Sequence, residues 1–332
     1  MGEPDSAAEQ QRGAAEEARL ARTDDGSMNQ FLNLSSFAEQ MLVHEHSLAK
    51  IRPDMPLDKA ALIGCAVTTG VGAVIHTAGV RPGETVAVVG CGGVGLSCIN
   101  GAAIAGAGRI IAVDMVDAKL ELARRFGATD VVSARDGDAV EQVRELTGGG
   151  VHWSFEAIGL KITTEQAFRM LKRGGTCTVI GMIPPGTMIE IHGPEFLSEK
   201  KIQGSAMGSN RFRVDMPRFV DFYLAGKLHL DEMVSAHIRL EDVNEALHAL
   251  ESGEVARSSP STPDGATARA EQAARAPVPG RVSGRRPDSG PADPGRDGSY
   301  CRTTKPNWPS RNTRSTSRRA SRLTICVSSE RL

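Results

Sequence analysis

A chain of 332 residues has room for about two domains, and 40% apolar with 24% charged residues is globular composition, excluding a collagen-like or wholly unstructured chain. The net charge of −1 hides an uneven split: residues 258–332 carry 14 Lys+Arg against 6 Asp+Glu, while the other 257 carry 25 against 34. The six cysteines (Cys65, Cys91, Cys98, Cys177, Cys301, Cys326) show neither CxxC pairing nor a disulfide framework, and the polar opening MGEPDSAAEQQRGAAEEARLAR lacks the apolar core of an export signal, so a cytoplasmic setting is expected.

In chain order, residues 1–27 have no apolar stripe at helical spacing and read as a loose extension. FAEQMLVHEHSLAKI then alternates as a strand from Phe37 to about Val43 and leads, past Pro53, to a helical LDKAALIG. Thr85 to Gly108 carries no charge and is long enough to cross a bilayer, but its glycines and β-branched opening fit a strand, a tight turn and a buried helix better.

Strands are expected at TVAVVG (85–90), RIIAVD (109–114), DVVSA (130–134), HWSFEAIG (152–159) and TCTVIGMI (176–183), with helices near 94–106, 118–127, 139–147 and 163–172. Short, nearly all-apolar strands alternating with helices predict an α/β fold, a doubly wound parallel sheet covered on both faces. Beyond it, TMIEI and KIQGSAMG read as further strands, and RVDMPRFVDFYLAGK and EDVNEALHALESG as amphipathic helices. From Ser258 the chain is Arg, Pro, Ser, Ala and Gly with few aliphatic residues, so disorder is expected over 258–332. The tail's thirteen arginines against one lysine admit two readings, a slipped reading frame or a basic tail.

Gly90-Cys-Gly-Gly-Val-Gly95 follows a predicted strand and opens a predicted helix, the setting in which G-x-G-x-x-G has a mechanism. Gly90 permits the tight turn, Gly92 lets backbone approach a pyrophosphate, and Gly95 lets the helix pack on the sheet. Asp114 ends the next strand about twenty residues on, where a carboxylate would bind an adenosine ribose and disfavour a 2′-phosphate, so NAD is expected over NADP. Lys119, one turn into the following helix, is a candidate ribose or phosphate contact. An S-adenosylmethionine methyltransferase would use a similar turn, but the crossovers after Asp114 ending in FEAIG and VIGMIPP weigh against it.

Taken in order, FLNLSSFAEQMLVHEHSLAKI, LIGCAVTTGVGAV, RPGETVAVVGCGGVGLS, RIIAVDMVDAKLELARRFGATDVV, FEAIG and LESGEVAR closely resemble the zinc-dependent medium-chain alcohol dehydrogenases, including their thiol-linked formaldehyde dehydrogenase branch, over about residues 25–257. The resemblance implies a Rossmann nucleotide domain at 67–208, flanked by remnants of a GroES-like catalytic domain at 28–66 and a further part of the dehydrogenase unit at 209–257. It implies that Gly92, Gly93 and Val94 meet the pyrophosphate, that Asp114 and Lys119 hold the ribose, and that Ile158 flanks the adenosine. Thr69, Ile180 and Met207 would line the nicotinamide pocket, and Arg257 would reach the pyrophosphate. TMIEIHGPEFLSEKKIQGS resembles the family's dimer-forming edge, so a homodimer or larger assembly is expected, with no membrane or nucleic-acid partner.

Cys65 falls where the family supplies one ligand of its catalytic zinc; by itself, a lone cysteine reads as a small buried hydrophobe. The family's other zinc ligands lie upstream of the matched stretch. His44, His46 and His76 read as structural or surface histidines, and Glu156 as a fixed polar group beneath the nucleotide. The expected activity is hydride transfer between NAD and a primary alcohol or thiol-aldehyde adduct, with little turnover expected of this chain. The alternatives are a non-catalytic NAD-binding or oligomerising fragment and a zinc-independent quinone-type reductase.

Overall fold

A computed structural model describes residue 37, residues 47–234 and 236–251, and the strand at 258–260. Apart from Phe37 itself, the strand expected from Phe37 to Val43 lies outside the described residues, as do His44 and His46, Arg257, the loose extension and most of the basic tail.

The first helix, α1, runs from Leu57 to Ala78 and contains two π-helical turns, at Ile63–Val67 and Ala73–Ala78. Pro56 precedes it in an extended conformation, and Gly79, at φ +69°, closes it in the left-handed region that glycine enters without steric cost. Although α1 is long and apolar enough to cross a membrane, 72% of its most apolar window is buried in this fold, with Val67, Val71 and Val74 fully enclosed. Its small residues set the packing distance: a Cβ on Gly70 would lie 2.4 Å from the Val94 carbonyl oxygen.

Six parallel strands follow: β1 (Thr85–Val89), β2 (Arg109–Asp114), β3 (Asp130–Ser133), β4 (Val151–Glu156), β5 (Leu171–Val179) and β6 (Lys201–Gly204). The helices between them are α2 (Gly93–Ile104), α3 (Asp117–Arg125), α4 (Ala139–Thr147) and α5 (Lys161–Arg169). The sheet order β3-β2-β1-β4-β5-β6 is that of a doubly wound dinucleotide-binding sheet, whose order reverses between β1 and β4. The period of two divides β1 between two cores. Val86 and Val88 join α1, α2 and the later helix α6 (Phe212–Leu224), while Ala87 and Val89 join α4 and α5. Each fully buried Val, Leu, Ile or Phe contributes about 1.5–3 kcal/mol of transfer free energy.

Several secondary-structure expectations change. TMIEI (187–191) forms no strand: it follows the turn at Pro184–Thr187, Met188 is largely exposed, and the place beside β5 is taken by β6. The fifth strand begins at Leu171, five residues earlier than expected, because α5 ends at Arg169 and Val151 already pairs with Leu171. Within the segment expected to be disordered, Ser258–Pro260 forms a strand, β8, parallel to β7 (Ala236–Ile238). Helix α7 (Val243–Glu251) lies between β7 and β8 in sequence. The proposed boundary between residues 66 and 67 falls inside continuous α1.

Candidate functional site

The glycine turn leaves the C-terminal end of β1 at the point where the sheet order reverses. Gly90 has φ +95° and its N–H donates to the Val113 carbonyl at 2.8 Å, so the turn is pinned to β2. Gly95 is enforced by contact, since a Cβ there would sit 1.7 Å from the Gly90 oxygen. Gly92 faces the other way: a Cβ there would meet nothing within 4 Å, so its surface is open to a ligand. It caps α2 in an extended conformation and accepts from Leu96 N–H, leaving the amides of Gly93, Val94 and Gly95 as the unpaired donors of the helix start.

Asp114 stands beside this turn. Its Oδ2 accepts from the Cys91 N–H at 2.7 Å, and its Oδ1 accepts from Met115 and Val116 N–H at 2.8 and 3.0 Å. The carboxylate is thereby held at the lip of the turn on the ends of β1 and β2. The Cys91 thiol beneath it is fully buried and pushed well above the usual thiol range, first by desolvation and then by Asp114; Lys119, half-buried on α3, acts in the opposite direction.

Across the switch point, β4 ends in Glu156, which is fully buried. Its Oε1 accepts from Ile158 N–H at 2.9 Å, Gly159 N–H at 2.8 Å and the Thr163 hydroxyl at 2.8 Å. Its backbone carbonyl accepts from Ile180 and Gly181 N–H. One residue therefore shapes the loops after both β4 and β5, as a fixed polar group should. The same loop carries Ile158 over the glycine turn: a Cβ on Gly90 would lie 2.5 Å from Ile158 Cγ1, and the Ile158 side chain remains about half exposed.

On the far side, Thr69 of α1 is buried and its hydroxyl lies 3.7 Å from the Met207 sulfur. Met207, Gly208 and Ser209, which follow β6, all have positive φ. The sequence reading missed Asn210, whose amide nitrogen donates to the carbonyls of Thr68 and Met207, both at 2.7 Å. It also missed a hydroxyl chain in which Thr77 lies 2.8 Å from both Ser205 and Ser209. No glycine-like signal marks Met207 or Ser209 as left-handed; only the run GSN after a strand hints at a turn.

The structure thus gathers Gly90, Gly92, Gly93, Val94, Gly95, Asp114 and Ile158 around one turn, with Ile180 on the neighbouring strand end and Thr69 against Met207. Open space at Gly92, free helix-start amides and an adjacent carboxylate fit a dinucleotide. Zinc is different. Cys65 lies in the first π turn of α1 and is exposed rather than buried, and among the described residues no group of three or more His, Cys, Asp or Glu side chains is placed to hold a metal ion. The described residues therefore do not fit a zinc centre. His76 is engaged elsewhere, with Nε2 3.7 Å from the buried Asp215 carboxylate.

Comparisons with known proteins point to dehydrogenases. Residues 93–224 match the family described as zinc-binding dehydrogenase. A class-3 alcohol dehydrogenase of Cereibacter sphaeroides is 38% identical over 250 residues, covering 73% of this chain and 66% of that protein. The S-(hydroxymethyl)glutathione dehydrogenase of Synechocystis is 40% identical over 235 residues, covering 70% and 64%. Among solved structures, an alcohol dehydrogenase zinc-binding domain protein from Burkholderia ambifaria superposes with a TM-score of 0.70 at 33% identity, covering 73% of this chain and 66% of that one. The chain therefore spans just under two thirds of the length of these relatives.

Proposed function

This chain belongs to the zinc-dependent medium-chain alcohol dehydrogenase family, and from that premise we propose that it binds NAD at the C-terminal edge of its parallel sheet. The observation that carries the reading is Asp114 bonded to the Cys91 amide, which sets a carboxylate and an open glycine turn side by side. When bound, NAD supplies a hydride acceptor.

The chain's own residues would divide the binding. The amides of Gly93, Val94 and Gly95 face a pyrophosphate at the start of α2, with Gly92 leaving room for it. Asp114 accepts from the ribose hydroxyls and repels a 2′-phosphate, and Lys119 adds a positive charge beside them. Ile158 covers the adenosine, while Thr69, Ile180 and Met207 wall the nicotinamide. Arg257 is proposed at the pyrophosphate from the family resemblance alone.

The reaction proposed is that of the relatives' names, hydride transfer between NAD and a primary alcohol or a thiol-aldehyde adduct. We propose a homodimer or larger assembly through the β6 edge, supported by the exposed Met188 and Leu197 in the segment between β5 and β6. Because Cys65 stands without companion ligands among the described residues, a second reading is NAD binding without turnover. Fluorescence titration with NADH, metal analysis and an assay of alcohol-dependent NAD reduction on the full chain separate them. Binding with turnover supports the first reading, binding without turnover the second, and failure to bind contradicts both.

A further inference from the structure

The run after β6 places Met207, Gly208 and Ser209 at φ of +48°, +70° and +51°, and so holds two of the three non-glycine residues with positive φ among the described residues. Left-handed conformations are costly for residues with a Cβ, and such strain persists only where neighbouring structure enforces it. Here the enforcement is visible. The Asn210 amide nitrogen lies 2.7 Å from two carbonyl oxygens, that of Met207 inside the turn and that of Thr68 on α1, so a single donor group ties the strained turn to the helix.

The helix is shaped to receive it. A Cβ on Gly72 would lie 2.2 Å from the Asn210 amide nitrogen, and one on Gly208 would lie 2.3 Å from the Thr68 oxygen. The hydroxyls of Ser209 and Thr77 add a second tie at 2.8 Å. The product of this clamp is the position of Met207, with its sulfur 3.7 Å from the Thr69 hydroxyl, at the strand-end edge where ligands bind in such sheets.

We infer that Asn210 is a positioning residue that holds the left-handed turn against α1 and so fixes Met207 as a wall of the nicotinamide half of the site. The inference rests on the NAD reading proposed above. The Asn210 amide nitrogen bonds to Thr68 and Met207, on the nicotinamide side of that reading, so its loss should weaken recognition of one half of the dinucleotide and spare the other.

The test compares NADH with ADP-ribose, which lacks the nicotinamide, on the full chain. Asn210→Asp keeps the shape but sets carboxylate oxygens against two carbonyls; it should weaken NADH binding by about tenfold and leave ADP-ribose affinity within about twofold. In an Asn210→Ala background, Ser209→Gly relieves the backbone cost at one left-handed position and should recover part of the NADH affinity, whereas Ser209→Ala should not. The inference is overturned if Asn210→Asp leaves NADH binding unchanged, or if it weakens both ligands equally, as general loss of structure would. If the unaltered chain binds neither ligand, the NAD reading itself fails and takes the inference with it.

Discussion

The Asp114 carboxylate and the Cys91 amide, 2.7 Å apart, join the ends of β1 and β2 at the point where a dinucleotide ribose would enter. Because the other carboxylate oxygen accepts from Met115 and Val116 N–H, both oxygens are required as acceptors. Asparagine can satisfy only one side and must turn an amide N–H toward a backbone N–H on the other. Asp114→Asn should therefore cost about 1–3 kcal/mol of stability and lower NADH affinity, while narrowing the preference over NADPH. Denaturant melts and paired titrations measure both.

Gly95 makes a sharper prediction. A methyl group would fall 1.7 Å from the Gly90 oxygen, a backbone atom that cannot rotate away. Gly95→Ala should cost about 3 kcal/mol or more and remove saturable NADH binding. A variant that melts like the parent and binds normally would show that the glycine turn is not built as described.

Glu156 offers a contrast between two substitutions. Its Oε1 serves three donors, whereas its buried Oε2 has no hydrogen-bond partner among the described residues. Glu156→Gln can keep the serving oxygen and should cost about 1 kcal/mol, while Glu156→Ala orphans the donors and should cost about 3 kcal/mol. Equal losses in thermal denaturation would show that charge, not acceptor geometry, is what the loop needs.

The Arg109–Asp130 pair, a two-pronged contact with both N···O distances at 2.8 Å, is one of several sources of pH-dependent stability. The Arg109 hydrogen bonds hold the Asp130 carboxyl down to about 2, against the opposing effect of desolvation. Since the folded-state value is depressed, the pair's stabilisation is fully present above the ordinary carboxylate range and is lost as pH falls through about 2. Both side chains are partly exposed, so Asp130→Asn should cost only about 0.5–1 kcal/mol at neutral pH. The difference between parent and variant should shrink on acidification, as read by denaturant melts from pH 6 to 2.

Much of this fold was legible because its strands are short apolar runs buried on both faces. RIIAVD and TVAVVG could be placed almost to the residue, and the G-x-G-x-x-G turn and the distant strand-end aspartate, both legible in the sequence, lie side by side in the candidate site. TMIEI misled because alternation alone does not supply a strand partner, and the position beside β5 went to KIQG. Cys65 reads as apolar in LIGCAVTTGVG, yet it is exposed while its neighbours in the same π turn are buried, which a residue-by-residue hydropathy reading does not reveal. The Asn210 clamp was invisible for another reason: methionine and serine in left-handed backbone give no sequence signal, and Thr68, the partner of Asn210, lies 142 residues away from it.

The most direct test is a fluorescence titration of the full chain with NADH beside NADPH at fixed ionic strength. The account predicts saturable one-to-one binding with NADH preferred by at least about tenfold, because Asp114 would face the added 2′-phosphate. Absence of saturation with either nucleotide, or a preference for NADPH, would contradict it.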